Sequence, residues 1–126
     1  MILADTSVWV EHLRHGRRDL AALLEQGQIG CHPAVIGEVA LGSLRQRETI
    51  IAALGELPRL APVQDDDALA LIDARGLAGR GIGWVDVHLL GSALVGGWQL
   101  WTLDRRLAAV ARELGIGGER QRTIRT

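Results

Sequence analysis

Apolar residues in this chain fall into two alternating kinds of segment. Short runs, "ILA" at 2–4, "IGC" at 29–31, "LAPV" at 60–63 and "QLWTL" at 99–103, have the length and composition of buried strands. Longer stretches between them repeat apolar positions at helical spacing. "SVWVEHLR" follows the first run, and "RRDLAALLEQG" carries Leu20, Leu23 and Leu24 on one face before Gly27 stops it. Pro33 suits a first helical turn and opens "PAVIGEVALGSLRQR". "RETIIAALGEL" continues to Pro58, and "DDDALALIDARGL" starts on acids that favour a helix N-terminus. "GWVDVHLLGSALVGG" follows a glycine-rich loop, and "DRRLAAVARELG" follows the last strand.

Strands alternating with helices predict a three-layer α/β/α sandwich around a central, mainly parallel sheet. No repeat or low-complexity linker interrupts the 126 residues, so a single domain over 1–126 is expected. The polar tail "GGERQRTIRT" is expected to add an edge strand or to fray.

This topology gives four acids a common destination. Asp5 ends the first strand and Asp104 follows the last. Glu38 lies just over a turn into the helix opened by Pro33, and Asp86 lies in the first turn of the helix near Gly83. In a parallel sheet, strand carboxyl ends and helix amino ends meet along one edge, where ligands bind. Neighbours at helical spacing add nothing here, because Asp73 is flanked by apolar residues as Glu38 and Asp86 are. Carboxylates crowded at one edge repel each other, and a hard divalent cation relieves that repulsion. Oxygen-only ligands suit Mg²⁺, for which Mn²⁺ can substitute, and such ions activate water for phosphodiester hydrolysis.

Composition narrows the alternatives. A net charge of −1 weakens a simple cationic-patch reading for nucleic acid but leaves room for an enzyme whose metal supplies positive charge. All 14 basic residues are Arg and none is Lys, which removes every mechanism that needs an amine. The single cysteine, Cys31, forms no internal disulfide and no cysteine-rich zinc site. No secretory signal and no apolar run of membrane-spanning length is present, so a cytoplasmic protein without membrane contact is expected.

The segments "ADTSVWVEHLR", "GEVALG", "GWVDVHLLGSAL" and "LWTLDRRLAAVA" resemble, in family order and over nearly the whole chain, a PIN-domain ribonuclease of the VapC toxin type. The resemblance implies a Mg²⁺-dependent endoribonuclease, the toxin of a toxin–antitoxin pair, acting as a homodimer on RNA and blocked by a cognate antitoxin. It implies that Asp5, Glu38, Asp86 and Asp104 are the metal-binding and catalytic acids, with Thr6 and Thr102 as neighbouring hydroxyls. Members often carry a further acid shortly after the last one. This chain has Arg105 and Arg106 there, so one tightly held metal is expected.

Other features carry less. The loop "RGLAGRGIGW" follows a helix, not a strand, and so fails as a dinucleotide fingerprint. It delivers Asp86, and Arg80 within it is a candidate for reaching RNA phosphate, as Trp84 is for contacting a base. Trp9 and Trp101 are assigned to packing, the four histidines to surface or packing roles, and Arg14, Arg17 and Arg18 to a solvated face. Phosphotransfer on Asp5 would need a second Asp at position 7 or a Lys, and position 7 is Ser. The competing reading is a catalytically inactive PIN-like module that binds RNA or a partner.

Overall fold

The computed structural model describes residues 1–117. Strands β1 (Ile2–Ala4), β2 (Ile29–Gly30) and β3 (Gln99–Trp101) form a parallel sheet in the order β2-β1-β3. In register, Ile2 faces Ile29 on one side and Gln99 on the other, and Ala4 faces Trp101. Ile2, Leu3 and Ala4 are all buried, as expected of a central parallel strand covered on both faces. Among the described residues there are seven helices: α1 (Thr6–His15), α2 (Arg18–Glu25), α3 (Pro33–Ala40), α4 (Arg47–Glu56), α5 (Asp65–Arg75), α6 (Trp84–Gly96) and α7 (Arg105–Glu113). The expected α/β class therefore holds.

Strand order places the site. The chain leaves β1 for one neighbour, β2, and then returns past β1 to β3 on its other side. The reversal lies between β1 and β3, and open α/β sheets bind ligands outside the strand carboxyl ends at such a point.

Two expectations need correction. Residues 60–63 form no strand; only Arg59 makes an isolated parallel bridge, to Cys31. Backbone bonds run from the Cys31 N–H to Pro58 and from the Leu60 N–H to Cys31, and then stop. Pro58 precedes the run and Pro62 lies within it, and neither has the N–H group a longer ladder would use. The helix opened by Pro33 ends at Ala40, not near Arg47, since Gly42 turns the chain and Gln46 takes a left-handed conformation (φ 53°) before α4. The tail's expected edge strand falls on residues 118–126, outside the described residues.

Glycine matters for packing where β2 passes under Trp98. A Cβ on Gly30 would stand 2.2 Å from the indole and 2.7 Å from the Pro58 carbonyl oxygen. Only hydrogen fits.

Candidate active site

Asp5 is the buried centre of the β1/β3 edge, 6% exposed. It caps α1, and Oδ1 accepts from the Ser7 N–H at 3.0 Å and from the Ser7 hydroxyl. Oδ2 accepts the Thr102 hydroxyl at 2.7 Å. Thr102 Oγ1 in turn accepts the Asp104 N–H, and Ser7 Oγ accepts the Leu103 N–H, each at 3.0 Å. Two hydroxyls thus stitch the end of β1 to the end of β3.

The other three acids are each anchored by their own hydrogen bonds. Asp104 caps α7, with Oδ1 accepting the N–H groups of Arg106 (2.8 Å) and Leu107 (3.1 Å). Asp86 sits in the first turn of α6, and Oδ2 accepts the Gly83 N–H at 2.9 Å. Glu38 Oε1, on α3, accepts the Thr6 hydroxyl at 2.7 Å across 32 residues of sequence. Each of these acids commits one oxygen to positioning. Among the described residues, the second oxygen of each has no hydrogen-bond partner.

Electrostatics ties the four together. Burial raises the Asp86 carboxyl above its ordinary range; the Gly83 N–H offsets part of this, and the charges of Asp104 and Glu38 raise it further. Burial likewise raises Asp5, against hydrogen bonds from Ser7, Thr102 and the Val8 backbone, and Asp86 adds to the rise. The charges of Asp104 and Glu38 thus reach Asp86, and that of Asp86 reaches Asp5. Yet among the described residues no three acids already form a metal cage. A bound ion would have to draw them inward. The donor set itself fits a hard cation: carboxylate oxygens only, at least three of them open, with no thiol or imidazole among them.

A PIN domain family pattern matches residues 2–113. The chain belongs to the PIN-domain family. It is 51% identical over 117 residues, 92% of this chain and 94% of theirs, to Ribonuclease VapC32 from Mycobacterium tuberculosis strain CDC 1551 / Oshkosh and to that from strain ATCC 25618 / H37Rv. Its fold matches the crystal structure of PAE2754 from Pyrobaculum aerophilum with a TM-score of 0.67, over 98% of this chain and 91% of that one. At 15% identity, that likeness speaks to fold alone.

Within this PIN domain, the flanking residues sort unevenly. Thr6 serves Glu38 and Thr102 serves Asp5. Ser7, which sequence reasoning passed over as a site residue, holds the other Asp5 oxygen. The signal was present in "DTS", since a residue two places after a capping Asp is where its carboxylate looks for a donor. Arg80 makes a two-bond ion pair with Glu113 near the end of α7, both bonds 2.9 Å. Trp84 is 45% exposed and stands edge-on to His88. Trp9 and Trp101 are buried, and the Arg17 guanidinium covers the Trp101 ring.

Proposed function

We propose that this PIN domain is a metal-dependent endoribonuclease of the VapC toxin kind, cutting RNA phosphodiester bonds with water at the edge where Asp5, Glu38, Asp86 and Asp104 meet. The carrying observation is the division of labour within the carboxylates: one oxygen of each outer acid is anchored and the other is open. Glu38, Asp86, Asp104 and the buried Asp5 would hold Mg²⁺, or Mn²⁺ in its place. When bound, such an ion supplies Lewis-acid stabilisation of the phosphate and a water of lowered pKa. The chain's own residues supply the rest. Ser7 and Thr102 keep Asp5 oriented, and the helix caps keep Asp104 and Asp86 aimed into the site.

A cognate antitoxin is the partner this reading requires. A cavity of about 650 Å³ beside Glu38, walled by Val10, Leu13, Leu44 and Ile50 together with Arg14 and Arg45, supports it. Its mixed apolar and polar lining, with two cations, suits an amphipathic segment bearing acids. A homodimer and a cytoplasmic location belong to the same proposal, and no helix among the described residues is long and apolar enough to cross a membrane.

Cleavage of total bacterial RNA with mapped 5′ ends tests the reading. Wild type with Mg²⁺ should give discrete cuts bearing 5′-phosphates, absent in EDTA and in Asp5→Asn. Cuts that persist in EDTA would overturn metal-dependent hydrolysis. Absence of both cuts and metal binding would leave the non-catalytic module.

A further inference from the structure

We propose that Arg106 is the RNA-binding arginine of this site, gripping a backbone phosphate beside the bond that is cut. The inference rests on the ribonuclease reading above and extends it to a residue outside the acid set.

Arg106 lies in the first turn of α7, two residues after Asp104, and is exposed. Its backbone N–H is spent on the Asp104 carboxylate. Its side chain runs the other way, over the glycine loop that leads into α6. A Cβ placed on Gly81 would stand 2.6 Å from Arg106 Nη1 and 2.7 Å from Cδ, so the guanidinium end rests directly on that glycine. Gly81 also has φ +80°, a conformation that side chains disfavour, so two independent demands keep this shelf bare.

The result is a positive charge held between the segments that carry Asp104 and Asp86. Among the described residues it makes no ion pair with either acid or with any other. The loop's own arginine, Arg80, is already paired with Glu113. Four carboxylates repel a polyanion, and a nearby cation that none of them has captured offsets that repulsion. A guanidinium offers the forked donors that match two phosphate oxygens. Such a contact adds affinity and register without reading sequence.

The test uses a fluorescein-labelled single-stranded RNA of mixed sequence, about 16 nucleotides long. Its binding to the full chain is followed by anisotropy in Mg²⁺ across a salt series. An Asp86→Asn background keeps the RNA intact. Adding Arg106→Ala should weaken binding about tenfold or more, and should make the log–log salt dependence shallower by about 0.7. Arg106→Lys should keep the wild-type slope while recovering only part of the affinity. Equal affinity and slope in the alanine variant would overturn the proposal. So would weaker binding at an unchanged slope, which marks a merely structural role, or no RNA binding by the Asp86→Asn chain itself. Failure of the ribonuclease reading would appear separately, as wild type that binds the RNA but never cuts it.

Discussion

The Thr102 hydroxyl donates to Asp5 Oδ2 at 2.7 Å while accepting the Asp104 N–H at 3.0 Å, so one side chain couples the acid at the end of β1 to the acid after β3. Both Thr102 and Asp5 are buried, so water cannot replace the bond cheaply. Thr102→Val keeps the shape and deletes the hydroxyl. It should lower unfolding free energy by about 1–3 kcal/mol in urea titrations. RNA cleavage should fall about 10–100-fold, the usual cost of losing a group that orients a ligand. Unchanged cleavage would mean that Asp5 is held well enough by Ser7 alone.

Asp86 should show the opposite relation between stability and activity. Burial and the charges of Asp104 and Glu38 all disfavour its ionised form. Asp86→Asn removes the charge and can still accept the Gly83 N–H. In metal-free buffer the variant should therefore melt at a higher temperature than wild type, while losing cleavage. Added Mg²⁺ should raise the melting temperature of wild type and move the variant less, since an ion that binds only the folded state stabilises it. A variant that melts lower without metal would show that the charge is not a burden.

The places of Asp5, Asp86 and Asp104 in the fold were legible in the sequence, because its pattern marks strand ends and helix starts. Asp5 follows β1, Asp104 follows β3 and caps α7, and Asp86 lies in the first turn of α6, whereas Glu38 is the sixth of the eight residues of α3, near its end and not its start as expected. Which hydroxyl serves which acid was not legible. Thr6 and Ser7 are adjacent, yet one reaches Glu38 on α3 and the other Asp5, a split fixed by the turn from β1 into α1. Nor could sequence choose between the arginines near Asp86. Glu113 lies 33 residues beyond Arg80, and only the packed fold reveals that pair. The run at 60–63 misled because apolar content announces burial, which Leu60 indeed has, while the prolines decide hydrogen bonding.

Gly30 offers a test of the packing on β2. Gly30→Ala places a methyl where the Trp98 ring and the Pro58 carbonyl already stand, and backbone cannot swing aside as a long side chain would. The expected cost is about 1–3 kcal/mol of unfolding free energy. Trp98→Leu in the same chain should recover part of it, leaving the share due to Pro58. Additive losses in the double variant would place the strain elsewhere.

His32 gives the fold a pH dependence of its own. Its Nδ1 accepts the Ala34 N–H at 3.0 Å as the cap of α3, so the neutral ring carries its proton on Nε2, 3.0 Å from the Ser92 hydroxyl. A second proton would have to enter at Nδ1, facing an N–H. Burial and then the neighbouring His88 lower the pKa of His32 from its ordinary 6.5. The unfolded chain consequently takes up the proton first as pH falls. Stability from the neutral ring is complete above the ordinary value and is withdrawn as pH drops from there toward the lower folded value. His32→Asn keeps an acceptor for the Ala34 N–H but cannot titrate. Between about pH 7.5 and about pH 5.5, wild type should lose more unfolding free energy in urea than the Asn variant does. Parallel profiles would show that this ring is protonated as easily in the fold as outside it.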